Sequence, residues 1–359
     1  MRWVKPLLIT LVVIVVLVGG GIFYLKSAAE ARFEKTHPVT VAPIPIPFPL
    51  TSAEIEELKR RAARKAAPAE PGATAEEGAE PADVAPAQGE AAPAEAGAPA
   101  AKLDFAAIAN QRAVRRGKHY LESRAGCAEC HGEDFGGKVL VDSALVGTWS
   151  APNITRGGVV KNYKPEDWVR VVRHGLKPNG KPAAMPSQLY TSFSDQEISD
   201  IAAYLRSLPP IERASVPSKL GPLMWFRVVK GDVRLSAEHI DHAAARPKSP
   251  PSTLKASAEL GKHITSVCSA CHGTDLAGGR IAGGGPDWPP AKNLTFHATG
   301  LEKWSLADFT KALREGTRPD GNKLDRTMPV QYTKNLKDTE IESIYTYLKA
   351  VPPKQTPAS

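Results

Sequence analysis

The stretch Cys127-Ala128-Glu129-Cys130-His131 decides the reading of this chain. Its pattern returns as Cys268-Ser269-Ala270-Cys271-His272, and these two places use all four cysteines of the 359-residue sequence. Cysteines at i and i+3 on a helical turn face the same way, with the next residue beside them. A structural zinc ribbon sets its two pairs about 15–20 residues apart, whereas here each pair lies in its own segment. A thioredoxin-like redox pair follows a strand and needs no histidine. A disulfide suits an exported chain but leaves both histidines unexplained. Covalent haem attachment accounts for the whole motif: each sulfur adds to one porphyrin vinyl group, and the histidine supplies the proximal nitrogen to iron. The sequence therefore predicts two covalently attached haem c groups, one on Cys127, Cys130 and His131, the other on Cys268, Cys271 and His272.

The surroundings of the motif repeat as well. Gly117-Lys118-His119 opens one copy and Gly261-Lys262-His263 the other. Asn153-Ile154-Thr155 is answered by Asn293-Leu294-Thr295, Gly175 by Gly316, Gly180 by Gly321, and Tyr204-Leu205 by Tyr347-Leu348. The shared order marks a duplicated domain, and copies of this size are domains rather than solenoid units. Each copy reads as mostly helical. A helix is predicted over 165–174, with Pro165 in its first turn and Gly175 past its end. Another is predicted over 195–207, where Ser194 and Glu197 form a capping box. Their counterparts are 305–315 and 339–350. Ile198, Ile201, Ala202 and Leu205 make one apolar stripe, as do Ile341, Ile344, Tyr345 and Leu348. Long loops rich in Gly, Pro and Asn separate the helices and leave a core for haem to fill.

Met185-Pro186 and Met328-Pro329 are matched between the copies, and each stands before the last helix of its copy. They are the predicted axial ligands opposite His131 and His272, with Met224 left to packing. His/Met coordination closes both axial positions and suits electron transfer rather than substrate binding. His119 and His263 are shared too, but they precede the attachment sites by a helix and read as surface or propionate-side residues. His174 is answered by Glu315; His37, His239, His242 and His297 have no counterpart and read as solvated. Arg173 and Arg314 are matched candidates for propionate pairing on helix faces that read as exposed. The Asn-x-Thr tripeptides read as loop structure rather than glycosylation sites. Each proximal imidazole needs a carbonyl to take its free N–H.

Ahead of the copies, Leu7–Leu25 carries no charge. As a helix it is about 29 Å long, the thickness of a bilayer core. A cleavable signal has an apolar core of about 7–15 residues, so the length favours a retained anchor, although Ser27-Ala28-Ala29 offers a small-residue cleavage site. Arg2 and Lys5 before the span place the N-terminus in the cytoplasm and the remainder outside. Prolines at 43, 45, 47 and 49 impose an extended course, and Thr51 to Glu54 reads as a capping box opening a short helix. Residues 66–101 are nearly all Ala, Pro, Glu and Gly and read as a disordered linker. The net charge of +8 favours acidic partners or anionic lipid; no nucleic-acid motif is present.

These features resemble the class I cytochrome c family, and more closely the cytochrome subunits of membrane-bound alcohol and gluconate dehydrogenases. The residues that carry the resemblance are G-K-H-Y-L before C-A-E-C-H, then F-G-G, A-P-N-I-T, W-V-R-V-V-R-H-G, A-M-P and A-A-Y-L-R-S-L-P-P. The resemblance covers residues 104–210 and 252–353. It implies that the Pro152 carbonyl holds His131; Lys292 stands at that place in the second copy. Those subunits usually carry three haems, and this chain has motifs for two. The expected fold is mainly α, with an N-terminal anchor (1–26), a Pro-rich segment and short helix (27–65), the linker (66–101), and two tandem cytochrome c domains (104–210 and 252–353) joined by 211–251. The expected function is a di-haem cytochrome held in the bacterial inner membrane, with its haem domains in the periplasm. It would pass electrons between redox proteins such as a dehydrogenase, another cytochrome or an oxidase, and not be an enzyme by itself. A di-haem peroxidase is the alternative, and it needs one iron with an open or displaceable position.

Overall fold

The computed structural model describes residues 4–66, 103–281, 284–285 and 287–357. Helix α1 (Val4–Glu34) holds the apolar run and is the one helix among the described residues long and apolar enough to cross a membrane. Large apolar side chains from Leu8 to Tyr24 are exposed on it, while Ala29 is buried. A helix apolar all round and uncovered by protein suits lipid. Helix α2 (Ser52–Ala66) begins at the expected capping box: the Thr51 N–H donates to Glu54 and the Glu54 N–H to the Thr51 hydroxyl. Beyond Ala66, the predicted linker lies outside the described residues.

In the first copy α3 (Phe105–Tyr120), capped by Asp104, runs into a π-helical turn over Leu121–Ala125. Gly126, at φ 60°, then breaks direction so that α4 (Cys127–His131) starts afresh. The next segment, expected as loop, contains a hairpin: β1 (Lys138–Ser143) pairs antiparallel with β2 (Gly147–Ala151). Val139, Val141, Thr148 and Trp149 supply the strand preference, a signal masked by the surrounding glycines. Helix α5 (Pro165–His174) ends at Gly175, left-handed at φ 65°, and α6 (Asp195–Ser207) starts from the Ser194–Glu197 box. The connection adds β3 (Lys219–Leu220) alongside β2, then α7 (Pro222–Lys230) and α8 (Ser236–His239). The second copy comprises α9 (Ala258–Thr265), α10 (Ser269–His272), α11 (Leu306–Glu315), α12 (Val330–Thr333) and α13 (Asp338–Ala350).

The chain forms two compact units. One is made of residues 1–43, 126–191 and 208–246. In it α1 packs on α7, and the sheet has the order β1-β2-β3. The Phe33 ring, at the end of α1, meets Trp149 edge-on with centroids 6.5 Å apart. Trp168, Val169 and Leu176 are buried.

The other unit is made of residues 44–125, 192–207 and 247–359. Here α3 packs on α6 and α9 on α13, and both contacts are made through the repeated glycine. A Cβ on Gly117 would lie 2.0 Å from the Asp200 carbonyl oxygen, and one on Gly261 would lie 1.9 Å from that of Ser343. Only hydrogen fits there, so backbone meets backbone. Both predicted stripes are buried, apart from Tyr345, which is partly so and stacks among Phe296 and Phe309.

Candidate haem sites

Helix α4 is little more than one turn, and it sets Cys127 and Cys130 side by side, outside any disulfide, with His131 next in line. The His131 Nδ1 lies 2.7 Å from the Pro152 carbonyl oxygen. A carbonyl only accepts, so Nδ1 carries the proton and Nε2 keeps its lone pair. The second copy has the same arrangement, with His272 Nδ1 donating to the Lys292 carbonyl at 2.6 Å. Burial lowers the pKa of both imidazoles, and the carbonyl bond only partly offsets this, which favours the neutral form that ligates metal. Burial, aided by the neighbouring cysteine, pushes the Cys127 thiol up to about 12 and the Cys268 thiol up to about 11. Both thiols are thus protonated at neutral pH.

The carbonyl that faces each histidine is fixed by the residue after it. Asn153 is fully buried; its side-chain oxygen accepts from both the N–H and the hydroxyl of Thr155, at 2.9 and 2.7 Å. Its amide donates to the carbonyls of Ile211 and Arg213. Asn293 does the same, binding Thr295 and donating to the Lys354 carbonyl at 2.7 Å. The Asn-x-Thr motif is thus a bracket closing the loop on the strand of chain beyond the last helix, and its burial rules out glycosylation. The repeated tripeptide was the signal for it.

Met185 and Met328 occupy equivalent backbone settings. Each is half-buried and precedes a proline that caps a short turn of helix, Ser187–Tyr190 in one copy and α12 in the other. Pro186 has φ −76° and ψ 57°, Pro329 φ −80° and ψ 65°. Met185 shares a unit with His131, and Met328 with His272. Met224 lies partly buried on α7.

Several other expectations are corrected. His119 and His263, expected at the surface or beside a propionate, each meet a carboxylate. The Nε2 of His119 donates to Glu340 at 2.9 Å, and that of His263 donates to Glu197 at 2.9 Å. Each histidine thereby binds the carboxylate that caps the last helix of the opposite copy. Sequence spacing gives no hint of a partner in the other copy. His242 is not free in solvent: its Nε2 donates to the Ala237 carbonyl, and its Nδ1 meets His174 Nδ1 at 2.9 Å. Arg173, expected on an exposed face, is 5% exposed. Its counterpart Arg314 binds Asp338 and the Lys334 carbonyl.

Paired neutral thiols on one turn, an adjacent imidazole with its Nε2 lone pair available, and a thioether in the same unit fit a c-type haem in each copy. Among the described residues no three His, Cys, Asp or Glu side chains converge as a metal cage. Residues 112–205 match the family model for cytochrome c oxidase, cbb3-type, subunit III, and residues 258–352 match the model for cytochrome c. The chain belongs to the cytochrome c family. It is 28% identical to a di-haem c-type cytochrome of Cereibacter sphaeroides, over 63% of this chain and 82% of that protein. It is 25% identical to the fructose dehydrogenase cytochrome subunit of Gluconobacter japonicus, over 69% of this chain. The match spans about half of that subunit's length, 54%. Over 29% of the chain it is 34% identical to the cbb3-type cytochrome c oxidase subunit CcoP of Helicobacter pylori. This cytochrome therefore has two c-type haem groups, one for each motif. Its apolar N-terminal helix anchors it in the bacterial inner membrane, with the haem domains on the periplasmic side.

Proposed function

We propose that each haem is bound covalently, by Cys127 and Cys130 in a domain spanning 104–210 and by Cys268 and Cys271 in one spanning 252–353. His131 with Met185, and His272 with Met328, would hold the two irons. The reading rests above all on the repeated imidazole-to-carbonyl bond, at 2.7 Å in one copy and 2.6 Å in the other, which leaves one nitrogen of each ring for metal. Bound haem supplies a one-electron Fe(III)/Fe(II) couple. The chain's own part would be to orient each imidazole through the Pro152 or Lys292 carbonyl and to supply a thioether as the second protein ligand. A centre held by two protein ligands would relay electrons rather than bind substrate.

The partners we propose are periplasmic redox proteins: a membrane-bound dehydrogenase as donor, and another cytochrome or an oxidase as acceptor. The likeness to cytochrome subunits of both kinds supports this. Contacts of that type are small and short-lived, with charge setting the encounter rate. Haem quantitation on purified full-length protein, followed by redox titration, tests the reading. Two haems per chain, retained after acidic acetone extraction, with two high-potential one-electron steps, are expected. Haem that is extracted by that treatment, or rapid turnover of peroxide by the wild type, would overturn it.

A further inference from the structure

We propose that Ser236, on the connection between the copies, is a positioning residue for Met185, and that it ties the Met185 loop to the foot of the membrane helix. The proposal rests on the reading of Met185 as an iron ligand. Ser236 is 5% exposed. Its hydroxyl donates to the Met185 carbonyl at 2.6 Å and accepts the Ser187 N–H at 3.0 Å, with the Gln188 side-chain oxygen as a second acceptor beside it. One hydroxyl thus grips the backbone on both sides of Pro186. Room for it comes from Gly175: a Cβ there would lie 2.9 Å from the Ser236 Cβ.

The segment carrying Ser236 is itself latched to α1. Arg32, in the last turn of α1, binds both carboxylate oxygens of Glu238 and the carbonyls of Val228 and Val233. The other flank of the Met185 loop is held from the same stretch. The His37 N–H donates to the Gly180 carbonyl at 2.9 Å, and Lys181 pairs with Glu34. The second copy repeats the backbone part of this arrangement. Val330 stands where Ser187 does, and its N–H bonds the Met328 carbonyl as the Ser187 N–H bonds that of Met185.

A thioether is a weak ligand to ferric iron, so the fraction of time it is displaced depends on how firmly its loop is held. Ser236 therefore makes the first site harder to open than the loop's own backbone would. The test uses the full-length protein in detergent, titrated with imidazole in the oxidised state and poised electrochemically. Ser236→Ala is expected to raise the imidazole affinity of the first haem about five- to tenfold, as loss of one buried hydrogen bond implies. It should lower the reduction potential of that haem and leave the second haem unchanged. Arg32→Gln, remote from the loop in sequence, is expected to move the first haem the same way by less. Unchanged affinity and potentials in Ser236→Ala, or equal changes at both haems, would overturn the proposal. Met185→Ala separates the two readings. If it leaves the ferric sulfur-to-iron charge-transfer band intact, the ligand assignment itself falls; if it removes the first haem's share of the band while Ser236→Ala does nothing, only the positioning role falls.

Discussion

One buried asparagine per copy sets the carbonyl that the proximal histidine needs. Asn153 makes four side-chain hydrogen bonds at zero exposure. Asn153→Ala removes them and takes their partner from the Ile211 and Arg213 carbonyls and the Thr155 N–H. A cost of about 2–4 kcal/mol is expected, read as a lowered midpoint in denaturant unfolding, because stranded buried polar groups cost about 1–3 kcal/mol each. Asn293→Ala should behave alike in the second copy. At this scale the sequence was legible wherever chemistry demands a residue type. The Cys, His and Met positions stood out because no ordinary core needs them in that pattern. Asn153 and Asn293 were visible only as a repeat, since an asparagine does not announce which carbonyls it will meet. Nor do His119 and His263 announce theirs: a histidine near a helix end has too many possible partners until the chain is folded.

Helices were the most legible elements, because capping boxes, first-turn proline and left-handed glycine are local devices. Ser194 and Glu197 form the predicted box, and Gly175 and Gly316 end their helices at φ 65° and 64°. The hairpin escaped because its strands sit between glycines and are paired with each other rather than with a neighbouring helix. The repeated Gly117 and Gly261 were legible as markers but not as contacts. Gly117→Ala should be among the most damaging single changes, costing about 3 kcal/mol or more through backbone displacement. A large fall in melting temperature would show it. Helix α6 also carries an acid-sensitive end. Burial alone would raise the Glu197 pKa, but Arg124, His263 and the Ser194 N–H outweigh it and hold the carboxyl at about 2 against an ordinary 4.5. A carboxyl depressed in the fold stabilises above its unfolded pKa, and that contribution is lost as pH falls from about 4.5 toward 2. The linkage is worth about 3 kcal/mol. Stability measured against pH should drop over this window in the wild type and be flatter there in Glu197→Gln.

For the molecule as a whole, the informative feature is reciprocity. His119 of the first copy binds Glu340 of the second, and His263 of the second binds Glu197 of the first, each at 2.9 Å. The copies are therefore fastened by the same pair used twice, with Asn335 adding a bond to the Glu122 carbonyl. A double-mutant cycle on His119→Gln and Glu340→Gln should give a coupling of about 1–3 kcal/mol in the full chain. Strict additivity would mean the pair does not contribute. Duplication was legible in the sequence because order and spacing recur. The fastening was not, because a tie between copies joins residues far apart in the chain and leaves no periodic trace.

The asparagine brackets also reach past the double prolines that close the repeated pattern in each copy. Asn153 takes hold of Ile211 and Arg213, and Asn293 of Lys354. Any shortened version cut at Pro210 or Pro353 would take from its bracket the carbonyls beyond the last helix, and the histidine's carbonyl would lose part of its support from behind. Haem loading during maturation should then fail in a fragment a few residues too short, while one that runs on through Ser215 or Thr356 matures normally.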